Sequence, residues 1–282
     1  MGLQFKRALC AVSGAASAIG IALALAAFCD LDLARAQSSP SGSTDARTAA
    51  VEEIAIGSRI LAEFGVVDGF GHVSARDPSD PNRFLMSRSL APALVTPADI
   101  MEFDMDGNAV DAKGRSLFLE RFIHSEIYKA RPDVMAVVHA HSPGVIPFSI
   151  TKMPLRPVYH NTAFIGAGAP VWDIRTDFGT GTDMLVRNKE IGRSLANALG
   201  DKSVLLMRGH GDVTVGPSVK MAVFRAYYTE VNARLQSQAA ALGGEVNFLT
   251  AEEGAKADQV NFAVIDRVWN LWKMRAASGL GK

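Results

Sequence analysis

The stretch Arg131-Pro132-Asp133-Val134-Met135-Ala136-Val137-Val138-His139-Ala140-His141 decides how this chain folds. Pro132 ends the helix predicted before it, because proline has no backbone N–H to donate inside a helix. The apolar and β-branched residues 134–139 then predict a strand. Residues two apart on a strand point to the same face, so His139 and His141 would present two imidazoles in one direction. Such a pair can hold a divalent ion, although an H-x-H pair also occurs by chance on a half-exposed strand.

A third histidine, His210, is the best candidate to complete a metal site. It follows residues 204–208, which predict another strand, and lies between Gly209 and Gly211, which allow the backbone to turn sharply. Catalytic ions usually keep three protein ligands and leave a position open for water or substrate. Three neutral imidazoles with a carboxylate or water suit zinc, manganese or iron, and the sequence does not choose among these divalent ions.

Glu120 and His124 are four residues apart within residues 118–131, which predict a helix, so we expect them to share one face. Glu120 is the candidate general acid and base, or a fourth ligand, with its pKa raised by apolar neighbours. A solvated surface carboxylate is the alternative. For His124 we expect packing or a hydrogen bond behind the ligands rather than metal binding.

The composition indicates a globular protein that acts on a small molecule. The chain has 282 residues, of which 48% are hydrophobic, which is ample material for a buried core. Its 29 basic and 29 acidic residues cancel, and like charges do not form long runs. This pattern argues against nucleic-acid binding and against a basic membrane patch. The expected partners are a small-molecule substrate and other copies of the chain.

The amino terminus predicts a signal peptide, residues 1–36. Lys6 and Arg7 precede the apolar residues 8–28, and Ala34-Arg35-Ala36 supplies an A-x-A cleavage site. A retained anchor is the alternative, since about 20 apolar residues can span a bilayer. On either reading we expect the domain to be periplasmic or secreted, and without a membrane partner once the signal is cleaved.

The rest of the chain predicts a flexible leader, residues 37–47, rich in Ser, Gly, Pro and Thr, and then one domain, residues 48–282. Both cysteines, Cys10 and Cys29, precede the cleavage site, so disulfides and thiolate ligands are excluded from the mature domain. Helical and strand patterns alternate, which predicts an α/β fold. Helices are predicted at residues 51–64, 118–131, 219–242 and 250–272, and strands within residues 69–77 and at 83–86, 100–104, 134–139 and 204–208.

Four motifs together resemble the class II aldolase/adducin family. The motifs are Gly71-His72-Val73-Ser74, Glu120-x-x-x-His124, the stretch 131–141 and Arg208-Gly209-His210-Gly211. The resemblance covers roughly residues 48–246. It implies a three-layer α/β/α sandwich around a mostly antiparallel central sheet, and a homotetramer with active sites at subunit interfaces. It also implies one divalent metal ion per subunit, held by His139, His141 and His210, with Glu120 as the acid/base.

Three departures from the sugar-phosphate aldolases bear on the substrate. Leu117, Phe118 and Leu119 stand where those enzymes carry a Ser-Ser pair, and His72 stands where they carry Asn. Apolar side chains donate no hydrogen bond to a phosphate. Their catalytic Tyr aligns with Asn161. A phosphorylated sugar is therefore the less expected substrate.

The chain more closely resembles the family branch that decarboxylates hydroxylated aromatic or heteroaromatic carboxylic acids. Ser87, Arg88 and Arg208 are candidates for substrate binding, and Arg88 could bind a carboxylate. The alternative for Arg88 is a surface arginine in a loop, and the alternative for Arg208 is a structural ion pair. His72 is a further candidate for substrate binding. His160 could act as a second proton carrier or be an ordinary loop histidine.

The sequence thus predicts a divalent-metal-dependent carbon–carbon lyase, foremost a decarboxylase. An aldolase acting on a hydroxy-carbonyl or sugar compound is the second reading. A non-catalytic adducin-like binding module is the third, and the three retained histidines disfavour it. An iron-dependent oxygenase on the same scaffold is a remote fourth.

Overall fold

The computed structural model describes residues 40–278, which form a seven-stranded sheet between two layers of helices. The predicted signal peptide and both cysteines lie outside the described residues. The strands are β1 (His72–Asp77), β2 (Asp80–Ser87), β3 (Ile100–Asp104), β4 (Ala136–Ala140), β5 (Val171–Trp172), β6 (Val204–Met207) and β7 (Gly211–Gly216). The helices are α1 (Pro40–Glu63), α2 (Arg121–Ala130), α3 (Ile146–Ser149), α4 (Arg175–Phe178), α5 (Lys189–Leu199), α6 (Val219–Ala241), α7 (Ala251–Ala263) and α8 (Ile265–Ser278), with 3-10 turns at Pro92–Leu94, Pro97–Asp99 and His160–Ile165.

The strands follow the order β3-β2-β1-β4-β7-β6-β5. Every neighbouring pair is antiparallel except β5 with β6. Because neighbouring residues of a strand point to opposite faces, Val138 joins a core with helices α1, α6 and α8, while Val137 joins a second core with α2 and α5. The predicted three-layer α/β/α sandwich around a mostly antiparallel sheet is confirmed.

Strand β1 lies beside β4 in a register that decides where the polar side chains go. His72 is opposite His139, and Ser74 is opposite Val137. Since Val137 packs on the α2 side, the alternation of the strands turns His72, Ser74 and His139 toward α2 as well. The buried polar residues of two strands therefore meet one helix.

Two predicted boundaries are wrong at the amino-terminal ends of helices. Residues 40–47 of the predicted flexible leader are helical, because α1 begins at Pro40, and Arg47 forms ion pairs with Asp77 and Glu102 that hold this turn on the sheet. Helix α2 begins at Arg121 rather than at residue 118, so Glu120 immediately precedes the helix. Glu120 is consequently held by tertiary contacts rather than by a helical turn.

Toward the carboxyl terminus, the predicted helix 250–272 is interrupted at Val264, which separates α7 from α8. Its predicted capping box is confirmed: Thr250 accepts from the N–H of Glu253, whose carboxylate accepts from the N–H of Thr250. Helix α5 was not predicted, although the side chain of Asn188 caps it. No helix within residues 40–278 is both long and apolar enough to cross a membrane.

Candidate active site

Three imidazoles and one carboxylate meet at the end of strand β4. Nε2 of His141 lies 3.2 Å from Nε2 of His139 and 3.1 Å from Nε2 of His210. Oε2 of Glu120 lies 3.4 Å from Nε2 of His139 and 3.5 Å from Nε2 of His210. The four candidate ligand atoms lie within 4.8 Å of one another. The structure thus brings together the four residues that the sequence singled out.

The turn between β6 and β7 places His210 in this cluster. Gly209 has a φ of 62°, a conformation that residues with a Cβ rarely adopt. A Cβ on Gly211 would lie 2.1 Å from the carbonyl oxygen of Ala140, so only glycine allows β7 to approach the end of β4 this closely. Both glycines therefore have the structural role expected from the sequence.

Backbone carbonyls fix the orientation of two of the rings. Nδ1 of His139 donates to the carbonyl oxygen of Asp212 at 3.0 Å, and Nδ1 of His210 donates to that of Met184 at 3.1 Å. A carbonyl oxygen can only accept, so each Nδ1 carries the hydrogen, and each neutral ring has a lone pair at Nε2. Metal-bound histidines are commonly held in this way by their second nitrogen.

The donor set fits one divalent ion. Nitrogen ligands about 2.1 Å from an ion, at octahedral to tetrahedral angles, lie about 3.0–3.4 Å apart. The two Nε2 separations of 3.1 and 3.2 Å fall in this range. Burial first, and then the charges of His139 and His210, lower the pKa of His141 to about 4, so that its ring is neutral and able to bind metal at pH 7.

Glu120 directs its two oxygens to different partners. Oε1 accepts a hydrogen bond from the backbone N–H of Val186 at 3.0 Å, while Oε2 faces the histidines. Burial would raise the pKa of Glu120, but hydrogen bonds and charge from His139 and His210, when these rings also carry a proton on Nε2, outweigh it and hold the pKa well below the usual range. The expected raised pKa is therefore wrong, because the apolar neighbours are outweighed by the rings. Glu120 is a carboxylate in this site.

An apolar cavity of about 520 Å³ opens beside the cluster. Phe118 and Leu117 form part of its wall, and the ring of Phe70 stacks on that of His141 with centroids 5.8 Å apart. Polar side chains are few, as in most small-molecule sites. The lining residues are Gly69, Phe70, Gly71, His72, Ser89, Leu90, Ala91, Leu117, Phe118, Leu119, Glu120, His141 and Leu185.

Comparison with known proteins identifies the family. The sequence model of the family described as class II aldolase and adducin N-terminal domain matches residues 52–237. The chain belongs to the class II aldolase and adducin family. A solved structure of an aldolase II superfamily protein from Pseudomonas syringae shares the fold with a TM-score of 0.69 and 25% identity. The matched region covers 87% of this chain and 96% of the chain in that structure.

Two decarboxylases are similar to this chain over most of their length. The decarboxylase tropJ of Talaromyces stipitatus is 36% identical over an alignment of 245 positions, and the match covers 79% of this chain and 92% of tropJ. The 3,4-dihydroxyphthalate decarboxylase of Arthrobacter keyseri is 32% identical over an alignment of 220 positions, and the match covers 73% of this chain and 84% of that enzyme. By these relationships this class II aldolase family member is an enzyme, a lyase.

Among the residues predicted to bind substrate, His72 lines the cavity, and three others do not. Ser87 is buried at the end of β2, and Ser89 lies on the cavity wall instead. Nε of Arg88 donates to Asp99 at 2.7 Å, and Nε of Arg208 donates to Asp173 at 2.9 Å. Within one chain, Arg208 therefore has the structural ion pair that was its alternative, and Arg88 also forms an ion pair, although the alternative for Arg88 was a surface position in a loop.

His160 lies apart from the cluster. It is exposed at the start of a 3-10 turn and lines a second cavity with residues of α7 such as Glu253 and Lys256. Its Nδ1 lies 3.2 Å from Oδ1 of Asn161. A role of His160 as a proton carrier stays a prediction, which the arrangement of a single chain does not support.

Sequence reasoning missed the loop between α4 and α5. Met184 and Val186 act through backbone atoms, as the acceptor for His210 and the donor to Glu120, and Leu185 lines the cavity. Backbone contacts have no residue signature, so no sequence signal could have found the first two. Ser74, buried beneath the cavity, could have been found because it shares a strand face with His72.

Proposed function

We propose that this lyase is a divalent-metal-dependent decarboxylase of a hydroxylated aromatic or heteroaromatic carboxylic acid. One observation carries the proposal: the cluster of three histidines and Glu120 adjoins a largely apolar cavity. A flat ring can pack against Phe118 and Leu117 while its oxygens reach the cluster. The similar 3,4-dihydroxyphthalate decarboxylase is named for a hydroxylated aromatic acid, and this agrees with the proposed class of substrate.

The same wall argues against a phosphorylated sugar. Residues 117–119 offer only apolar side chains to the cavity. A phosphate dianion placed against these three side chains would lose hydration there and gain no hydrogen bond from them in return. An uncharged aromatic ring has no such cost.

The chain's own residues can be given roles in the reaction. A divalent ion held by His139, His141 and His210 would act as a Lewis acid on the substrate's hydroxyl oxygens and stabilise the charge that develops as carbon dioxide leaves. Oε2 of Glu120 takes the proton from a substrate hydroxyl and delivers it to the ring carbon that carries the carboxylate. The bond from that carbon to the carboxylate breaks, and its electron pair returns to the ring. The product leaves as a phenolate, which takes a proton from water.

We further propose that the chain is exported through residues 1–36 and works in the periplasm or outside the cell as a homotetramer. Support for export comes from the A-x-A site that ends at Ala36. Support for assembly comes from Phe70 and Leu119, two cavity-lining side chains that remain 65% and 57% exposed and that another copy could cover. Amino-terminal sequencing of the exported protein and light scattering in solution test these two proposals.

The experiment for the reaction is a release assay on the purified chain. It is loaded in turn with zinc, manganese and ferrous iron, and carbon dioxide is measured from dihydroxybenzoates and dihydroxyphthalates. We expect release with at least one ion, and none from benzoate, which has no hydroxyl to bind the ion. Cleavage of an unphosphorylated hydroxy-carbonyl compound, without carbon dioxide from any acid, would make the enzyme an aldolase instead.

A further inference from the structure

A chain of buried hydrogen bonds leads from the cavity wall into the core. Nδ1 of His72 lies 2.6 Å from Nε2 of His124, and Nδ1 of His124 lies 2.6 Å from Oγ of Ser74. Oγ of Ser74 lies 2.7 Å from the phenol oxygen of Tyr128. His72 is 4% exposed, and the other three residues are at most 1% exposed. The candidate metal-binding residues Glu120, His139, His141 and His210, called the metal cluster below, include none of the three residues behind His72.

The fold brings these four side chains together by two periodicities. His72 and Ser74 are two apart on β1 and face α2, while His124 and Tyr128 are four apart on α2 and face β1. The side chains therefore alternate between strand and helix along the hydrogen-bonded chain.

The number of hydrogens available for donation decides the direction of these three hydrogen bonds. Within residues 40–278, the phenol of Tyr128 has one acceptor in reach, Oγ of Ser74. A buried hydroxyl that does not donate costs free energy, so the phenol donates to Ser74. The hydroxyl of Ser74 then donates to Nδ1 of His124, whose hydrogen is on Nε2 and is donated to His72. The reverse direction leaves the phenol without an acceptor.

These hydrogen bonds also fix the position of the hydrogen on His72, which lines the cavity. Nδ1 of His72 is an acceptor, so a neutral His72 carries its hydrogen on Nε2. The ring lies between the apolar wall and the metal cluster, with its centroid 4.6 Å from that of Phe118 and 5.1 Å from that of His139. Nε2 is the polar atom that the ring has left to offer a ligand, and it can only donate.

We propose that His72 determines specificity by donating a hydrogen bond from Nε2 to a carboxylate oxygen of the substrate, and that His124, Ser74 and Tyr128 are positioning residues that hold this tautomer. The proposal rests on the proposed function, because it assumes a substrate that carries a carboxylate on an aromatic ring and whose hydroxyl oxygens reach the metal cluster. It gives the acid group a neutral donor beside the apolar side chains of Leu117 and Phe118.

The tautomer itself is the first test, and it does not depend on turnover. Histidine-selective 15N NMR of the zinc-loaded protein distinguishes a protonated ring nitrogen from one with a lone pair, and His72→Gln assigns the signals. We expect His72 to be protonated at Nε2 and not at Nδ1. Protonation at Nδ1 would overturn the proposal, whether or not the protein releases carbon dioxide.

Binding of two probes is the second test. We compare 3,4-dihydroxybenzoate with catechol, which lacks the carboxylate, by calorimetry on zinc-loaded protein. Ser74→Ala removes the donor to His124 and should weaken binding of the acid about tenfold to hundredfold while leaving catechol unchanged. Ser74→Thr keeps the hydroxyl and should restore the affinity. Equal losses of affinity for both probes, or no loss for the acid, would refute the positioning role of His124, Ser74 and Tyr128.

A matched variant separates this effect from simple loss of a buried hydroxyl. Ser58 is 2% exposed, and its hydroxyl donates to the carbonyl of Ile54 within α1. Ser58→Ala should leave the affinity for both probes unchanged. If Ser74→Ala does not fold, Tyr128→Phe removes the hydrogen that sets the direction and should show a smaller loss for the acid alone. Acid binding without decarboxylation would contradict the proposed function and leave this proposal standing.

Discussion

His72 and His139 are direct partners across strands β1 and β4, and their ring centroids lie 5.1 Å apart. One ring is a candidate metal ligand, and the other forms the adjoining cavity wall. A single register between two antiparallel strands therefore sets the distance between the metal cluster and the cavity.

Replacing His139 tests the metal cluster. His139→Ala removes one of three converging imidazoles, so we expect the bound metal to fall from one equivalent per chain to near zero in elemental analysis of dialysed protein. His160→Ala is the control, because His160 lines another cavity, and it should keep its metal. A full equivalent of metal in His139→Ala would contradict the ligand assignment.

Glu120→Gln separates metal binding from proton transfer. The amide oxygen can still accept from the N–H of Val186, so the loop should remain in position. The three histidines remain, and we expect metal content close to that of the wild type. Turnover should fall about 100-fold to 10,000-fold, as expected for the loss of a general acid/base. An active variant, measured by release of carbon dioxide, would remove Glu120 from this role.

Phe118→Ala tests the apolar wall. The ring lines the cavity beside His72, so its loss should reduce kcat/KM for an aromatic acid about tenfold or more, mainly through KM. Phe122, four residues further along the chain, packs against the guanidinium of Arg121 and is not among the residues that line the cavity. Phe122→Ala should therefore change stability rather than KM. Equal changes in KM would show that the wall does not contact the substrate.

Gly211→Ala tests the close approach of β7 to β4. The added Cβ would meet the carbonyl oxygen and carbon of Ala140 at 2.1 and 3.0 Å, both of them backbone atoms that cannot move aside cheaply. We expect the free energy of unfolding in urea to decrease by about 3 kcal/mol, with weaker metal binding because His210 is displaced. Gly181→Ala is the control, since nothing lies within 4 Å of its added Cβ. An unchanged unfolding midpoint for Gly211→Ala would be inconsistent with this packing.

Acid should destabilise the metal-free protein through His124. Burial first, and then the charge of His139, lower the pKa of His124 from 6.5 to about 3. The unfolded chain therefore binds a proton that the folded ring does not, and the free energy of unfolding decreases as pH falls from about 6.5 toward 3. The contribution of His124 over this range is about 5 kcal/mol at most.

The slope is best measured between pH 5.5 and 6.5, where most carboxylates are ionised in both states. His124→Phe keeps a ring in this position but cannot titrate, so its unfolding free energy should depend less steeply on pH. The comparison uses slopes rather than absolute values, because the substitution also removes two hydrogen bonds. Identical slopes would show that His124 does not carry the effect.

Local patterns predicted most of the sheet and the four residues of the metal cluster. Strand β3 has the predicted bounds, and β4 differs from its prediction by a few residues. His139 and His141 could be paired from the sequence because a strand repeats every two residues, and His210 because it lies between two glycines. These signals depend only on residues close together in the sequence, so they can be recognised without the structure.

Long-range contacts decided the rest. Residues 40–47 are helical although their composition predicts a flexible leader, because Arg47 pairs with Asp77 and Glu102 far along the chain. The pKa of Glu120 is lowered rather than raised because two rings from other strands and turns reach it. Arg88 and Arg208 meet carboxylates that no spacing rule connects to them.

The sequence by itself determined the family resemblance, the class of fold and the donor set of the metal cluster, since these depend on residue types at fixed local spacing. Only the tertiary structure decided which nitrogen of His139 faces the other candidate ligands and which nitrogen of His72 contacts His124. Those orientations depend on single hydrogen-bond partners, such as the carbonyl of Asp212 for His139 and the side chain of His124 for His72. Such partners are brought within 3 Å only when strands and helix pack together.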